Sequence, residues 1–283
     1  MIANGVLFFY IAVVAYFVAF FSYLFFVVFK KALLGSAGTA AFALGFGAQT
    51  LGLIFRSVSL GTIPVTNTYE SLVFYGWVFA LGYLVMEALS KGARRPIRIA
   101  GTLVALFAAG MIALASSPLY TSSLTPLVPA LQGHWLILHV SFTFVGEGFF
   151  AVSFASSLLF LIVGRRERKR SGTSSQWSLP AALDRLDRLS YRAVAIGFPF
   201  FTLGGLFFGA IWAKHAWGRY WGWDPKETFM LVTWLVYVLY LHVRLRRGWR
   251  GRRAAWIAVV GFLLALFTFA GVNYLVQGLH SYK

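Results

Sequence analysis

Apolar and polar positions along this chain fall into long blocks, not short alternations. Eight stretches, at about 6–29, 33–54, 71–88, 98–115, 136–163, 193–213, 227–243 and 254–275, are almost free of charge. Apolar runs of about 18 residues or more are long enough to cross a bilayer as helices, because each residue adds about 1.5 Å of rise. The pattern predicts an all-α, polytopic membrane helix bundle of about eight transmembrane helices, taken as a single integral membrane domain over 1–283. The first stretch has no charged amino-terminal region and exceeds the apolar core of a signal peptide. No small-residue cleavage pattern follows it before Lys30, so it is read as the first span.

Within the spans, Ala41 with Gly45, Ala48 with Gly52 and Gly205 with Gly209 are small-xxx-small pairs that let helices approach closely. Pro199 is expected to kink the sixth span. The one long polar connection, about 164–192, contains Leu183, Leu186 and Leu189 at helical spacing beside Asp and Arg. It predicts a short amphipathic helix over 181–192, lying on the membrane surface.

Composition adds to this pattern. The chain is 59% hydrophobic and 12% charged, and soluble proteins carry roughly twice that charge. Its formal charge of +17 would suggest nucleic acid in a soluble protein, yet its placement says otherwise. Of the 25 lysines and arginines, twenty lie in alternate connections: Lys30 and Lys31, four between 91 and 98, eight between 165 and 192, and six between 244 and 253. The other five are Arg56, Lys214, Arg219, Lys226 and Lys283. By the positive-inside rule the basic connections are cytoplasmic and both termini lie on the outer face. The basic run at 165–170 is therefore read as a topology signal, with contact to anionic headgroups as the alternative. With no cysteine, the chain has neither a thiol nucleophile nor a thiolate metal site.

One connection departs from ordinary loop chemistry. Between Trp212 and Trp223 the chain reads WAKHAWGRYWGW, placing four of its ten tryptophans in one connection of about thirteen residues. An interfacial aromatic belt spreads over many helix ends. Here Trp212, Trp217, Trp221 and Trp223 cluster, interrupted by Gly218 and Gly222, which fits a rigid apolar floor for a flat aromatic ligand. Asp224, Pro225 and Glu227 have the spacing of a capping box opening the seventh span, as do Asn67 and Glu70 at the third. Lys214, Arg219 and Lys226 fit either headgroup anchors or partners for ligand carboxylates.

Five histidines remain to be placed: His134 and His139 at the outer start of span five, His215 in the tryptophan-rich connection, His242 in span seven and His280 beyond span eight. Haem is a planar tetrapyrrole whose iron accepts imidazoles on both faces, so His139 and His280, on the same side as the tryptophans, fit a haem site. His242 lies about 22 Å below Glu227 along its helix, where a buried imidazole is expensive and so a functional candidate. No second histidine shares its depth. A partner imidazole for an iron at His242 would come from another polypeptide.

These residues match a known family. WGRYWGWDPKETF with its GAIWA lead-in resembles the WWD signature of haem-handling membrane proteins. TNTYESLVF, LHV at His139, YVLYLHVR at His242 and GLHSY at His280 resemble the CcsA (ResC) type of system II cytochrome c biogenesis protein, from about residue 60 to the carboxyl end. The resemblance implies a haem lyase (holocytochrome c synthase) acting with a CcsB (ResB) type membrane protein. It moves haem b, both substrate and bound ligand, from the cytoplasmic side to the outer face. There it attaches the haem to apocytochrome c at Cys-x-x-Cys-His motifs, with no role for nucleic acid. Carried over, His139 and His280 are the outer axial ligands and the catalytic residues, and His242 is the intramembrane ligand shared with the partner. Trp212, Trp217, Trp221, Trp223 and Asp224 hold the haem in the loop at about 212–227, within a haem-handling region 136–283. The expected setting is a bacterial plasma membrane, with a thylakoid membrane as the other possibility.

Two positions depart from the family pattern. Lys214-His215 stands where Asn and an acidic residue are common, and Glu147 places a carboxylate within span five. His215 is read as an incidental loop residue, and Glu147 as neutral and hydrogen-bonded, paired with Arg56, or serving proton movement. Two other functions stay open: a haem carrier without ligase action, and a bis-histidine membrane electron carrier.

Overall fold

A computed structural model describes residues 2–90, 94–120, 123, 133–170 and 179–272. Among them the regular structure is helical, with no strand: α1 (Ile2–Phe29), α2 (Ala32–Leu60), α3 (Thr68–Leu89), α4 (Arg94–Ala115), α5 (His134–Arg170), α6 (Leu179–Phe201), α7 (Gly209–Trp217), α8 (Pro225–Arg246) and α9 (Arg252–Leu266). Short π-helical segments, Thr202–Phe208 and Phe267–Gly271, follow α6 and α9. Among the described residues, eight helical stretches are long and apolar enough to cross a membrane, as the hydropathy blocks predict. The chain is an integral membrane protein.

The sixth stretch differs from expectation. It runs from Ala181 to Trp217 as one composite of α6, the π segment and α7. The 181–192 segment is thus not a separate surface helix but the first turns of the span. Nothing between Tyr191 and Ala193 breaks the backbone ladder, and helix propagation across a continuous ladder is cheaper than renucleation. Pro199 sits inside α6, and the i→i+5 register begins three residues later.

The fold divides into two compact units, Met1–Ile137 and Leu138–Lys283. In the first, α2 presents Gly38, Gly45 and Gly52 at intervals of seven to rings of α1 that are also seven apart. A Cβ at these glycines would lie 2.6 Å from Tyr23, 2.8 Å from Tyr16 and 2.5 Å from Phe9. The Tyr16 hydroxyl donates to Gln49 at 2.7 Å, and Gln49 Nε2 donates to the Val73 carbonyl at 2.8 Å. Tyr83 donates to Tyr23 (2.8 Å) and Thr39 to Glu87 (2.7 Å), while Arg98 donates to the same carboxylate at 3.0 Å. Asn67 caps α3 as expected, accepting from the Glu70 N–H at 2.8 Å. The Glu70 carboxylate is buried, and it accepts from Arg56 at 3.0 Å and from the Thr66 N–H and hydroxyl. These polar groups are hydrogen-bonded because burying them without partners costs more than the apolar packing around them gains.

In the second unit, α5 crosses the sixth span at backbone distance. A Cβ at Gly197 would lie 2.7 Å from the Gly146 carbonyl oxygen. Aromatic pairs tie α5 to α8 and α9: Phe150 stacks on Tyr237, and Phe154 packs on Phe262. At the end of these helices away from the tryptophans, Asp187 of α6 accepts from both Arg244 terminal nitrogens (2.7 and 2.6 Å) and from the Gly251 N–H (2.8 Å). That carboxylate joins α6, α8 and the start of α9.

Candidate functional site

The site is built around His139, in the second turn of α5. Its Nδ1 lies 2.8 Å from the Gly204 carbonyl oxygen, in the π segment. A carbonyl oxygen only accepts, so Nδ1 carries the proton and the Nε2 lone pair points away from this bond, as in a metal-ligating imidazole held by its second nitrogen. The approach depends on glycine. A Cβ at Gly204 would lie 2.2 Å from the Thr143 backbone nitrogen, and one at Gly209 would lie 2.9 Å from His139 Nδ1. Gly204→Ala is expected to force the π segment away from α5 and release His139, destabilising the unit by roughly 1–3 kcal/mol. A lowered thermal midpoint together with a shifted His139 imidazole NMR resonance checks this; an unchanged resonance would show that the Gly204 carbonyl does not hold the imidazole.

The His139 ring lies parallel to Trp212, with centroids 5.7 Å apart and planes 5° apart. Trp217 meets Trp212 edge-on at 4.7 Å. Both tryptophans belong to α7. The tryptophan-rich connection is therefore shorter than expected: helix continues to Trp217, Gly218 ends it in the left-handed region (φ 78°), and the loop proper is 218–224. Trp212 is buried and backs the histidine. Trp221 and Trp223 stand edge-to-face at 5.7 Å on the loop, and Trp223 is 69% exposed. Trp223 has φ 57°, a conformation costly for a bulky side chain, so the loop holds it there against its local preference.

What holds the loop is the cap of α8. Asp224 accepts from the Lys226 N–H at 3.1 Å, and Glu227 reaches back to the N–H groups of Asp224 (3.2 Å) and Gly222 (2.8 Å), with Pro225 at the first helical position. The capping box read from the sequence is present, and its Glu227 carboxylate also ties down the tryptophan loop. His139, Trp212, Trp217, Tyr220, Trp221 and Lys226 are among the residues around a recess of about 40 Å³. That is far below the roughly 300–1,000 Å³ of an enclosing ligand pocket, so a flat molecule would rest on its mouth. The Trp221 Nε1–H is buried without an acceptor among the described residues, which suits a site completed by a ligand.

The other candidates are dispersed. His242 is on α8, but its side chain is exposed, not buried as its depth in the span suggested. It faces out of this chain's own packing. His280 lies outside the described residues. His215 bonds its own helix, Nδ1 to the Ile211 carbonyl at 2.8 Å, and does not border the recess, in line with an incidental role. Glu147 is buried in α5 within electrostatic reach of Lys226. The sequence did not single out Gly204, Tyr220 or Met230 for this site. The Gly204-Gly205 pair shortly after Pro199 was the available signal for an irregular, closely packed segment.

Comparison with known proteins shows the family to which the chain belongs. Residues 65–280 match the family described as cytochrome C assembly protein. The cytochrome c biogenesis protein CcsA of Gloeobacter violaceus is 36% identical over 300 residues, covering 88% of this chain and 87% of that protein. CcsA of Synechococcus elongatus is 36% identical over 291 residues, covering 88% of each. CcsA of Chlamydomonas reinhardtii is 41% identical over 232 residues, covering 81% of this chain and 64% of that protein. In fold, the chain is similar to the solved structure of the cytochrome c heme lyase CcmF, with a TM-score of 0.69 at 17% identity over 94% of this chain and 46% of that one. The chain belongs to the cytochrome c assembly protein family and, within it, to the cytochrome c biogenesis proteins of the CcsA type.

Proposed function

We propose that this chain serves cytochrome c biogenesis by receiving haem b as substrate, holding it at the outer membrane face and presenting it for covalent attachment to apocytochrome c. The observation that carries the reading is the His139 imidazole, fixed by the Gly204 carbonyl and backed by Trp212 beside the Trp221–Trp223 loop. The His139 Nε2 binds one face of the iron and His280 supplies the other axial imidazole. Trp221 and Trp223 contact the porphyrin plane at the mouth of the recess, with Trp217 behind them. Asp224 and Glu227 act through loop geometry, and Lys226 offers a cation for a propionate.

An incoming Cys-x-x-Cys-His segment exchanges its histidine for one of these axial ligands, bringing its two thiols beside the vinyl groups. Each thiol adds across one vinyl: the sulfur forms a C–S bond to the carbon next to the ring, and the thiol proton ends on the terminal carbon. No net electron transfer is needed. This chain's residues accelerate the step by positioning, since fixing the reactants converts a bimolecular encounter into an intramolecular one. His242, exposed on α8, suits an earlier haem site completed by a histidine of a CcsB-type membrane protein.

The test is to purify the chain with its CcsB-type partner, record haem absorbance and measure covalent attachment to an apocytochrome c carrying Cys-x-x-Cys-His. Attachment is expected in the intact complex and its loss in a variant lacking both His139 and His280. Unchanged haem content and attachment in that variant would overturn the site. Haem binding by the intact complex without attachment would leave a carrier in place of a lyase.

A further inference from the structure

At the end of the second unit opposite the tryptophan loop, the last turns of the α5 span and the first turns of α6 and α9 surround a cavity of about 750 Å³. It is far roomier than the recess beside His139. Phe160, Leu161, Leu183 and Trp256 are among its walls, and the two charged groups bordering it are Arg165 and Arg252. Both arginines are exposed, and neither has a hydrogen-bond or ion-pair partner among the described residues. Arg244 nearby contrasts with them, being committed to Asp187. The helix α9 begins at Arg252 with no side-chain cap, so its first N–H groups add to the positive potential at this spot. Ile162 and Trp256, also on the lining, are 42% and 51% exposed, so the apolar wall opens to whatever surrounds the helices.

We infer that this cavity binds one anionic phospholipid, with its acyl chains against Phe160, Leu161, Leu183 and Trp256 and its phosphate between Arg165 and Arg252. The chemistry on each side decides this occupant. Guanidinium groups pair with phosphate oxygens in a fixed two-pronged geometry, and an apolar wall continuous with the surroundings of the spans suits hydrocarbon. Among the described residues the lining contains no His, Met, Tyr or Cys, so a metalloporphyrin would find no ligand for its iron there. Such a lipid would brace the α5, α6 and α9 ends where Asp187 already joins α6, α8 and α9.

The experiment uses the full chain with its partner, purified in a neutral detergent. Its thermal midpoint and lipid retention in native mass spectrometry are followed during titration with phosphatidylglycerol, phosphatidylcholine, glycerol 3-phosphate and haem. Phosphatidylglycerol is expected to bind and raise the midpoint, while phosphatidylcholine and glycerol 3-phosphate do little. In the double variant Arg165→Gln/Arg252→Gln the apparent affinity for phosphatidylglycerol should fall roughly tenfold to thirtyfold, since each arginine near an anionic lipid contributes about a factor of five. A control, Arg246→Gln/Arg250→Gln, removes equal charge from exposed arginines that do not border the cavity and should keep most of the effect. Equal loss in the control, or equal binding of phosphatidylcholine, overturns the site as a general charge effect. Binding of glycerol 3-phosphate as tight as that of the lipid makes it a free-phosphate site, and loss of haem binding with lipid binding intact makes it a haem site. Either result also overturns the inference.

Discussion

Replacing His139 by glycine is expected, on the proposed haem site, to lower covalent attachment of haem by at least about 100-fold and to remove the low-spin, bis-imidazole absorbance which that site would give. Loss of groups that merely orient a metal ligand typically costs 10–100-fold, and loss of the ligand itself removes the bond they serve. The backbone around the site should survive, because Gly204 is fitted against Thr143 of α5 through its own backbone and not through the imidazole. The vacated space is backed by Trp212, which offers a flat face for a free imidazole. Millimolar imidazole added to H139G should therefore restore part of the spectrum and part of the attachment. A variant that keeps its native spectrum and activity without imidazole would show that His139 is no iron ligand. One that loses both and recovers neither would point to a structural role, and its thermal midpoint would decide between these.

The second large effect concerns stability. Asp187 and Arg244 have side chains each only 7% exposed, and the carboxylate also accepts the Gly251 N–H. Asp187→Ala leaves the guanidinium with the Trp249 carbonyl at 3.3 Å and the Asp187 carbonyl at 3.4 Å, with no counter-charge among its described neighbours. Breaking one partner of a buried pair costs about 3–5 kcal/mol, because the remaining charge stays desolvated. For a unit of this size that corresponds to a fall of roughly 10 °C in the thermal midpoint, measurable in detergent. Asp184, three residues earlier, pairs with Arg188 on the exposed face of the same helix, and Asp184→Ala should cost less than about 0.5 kcal/mol. Equal effects at 184 and 187 would show that α6 contributes through helix propensity alone and not through the junction it makes with α8 and α9.

How much of this could be read from the chain depends on the range of each interaction. The spans were legible because hydropathy over about 18 residues is a local quantity, and a bilayer requires internally hydrogen-bonded helices. The caps at Asn67 and Asp224 were legible for the same reason, since donor and acceptor lie within three residues of each other. The tryptophan cluster and the three functional histidine candidates were also visible as residues, and charge alternation gave the expectation that His139 and the tryptophans share a face. The partition of that cluster was not visible: Trp212 and Trp217 on a helix supporting His139, Trp221 and Trp223 on a capped loop.

The tertiary structure alone decided the geometry around His139. Whether Gly204 bonds in an α or a π register depends on how closely α5 can approach, and that approach is set by Gly204, Gly146 and Gly197 meeting a segment some fifty residues distant. It also decided the exposure of His242. In a soluble helix the apolar face identifies the buried side, but in a membrane the surroundings are as apolar as the core, so a nearly continuous apolar span carries little record of which side faces its neighbours. The sequence by itself determined the number of spans, the caps and the residue types of the site. Which imidazole nitrogen is held, which tryptophans are buried and which histidine looks outward were decided by helix packing, because those properties depend on atoms far apart in the chain.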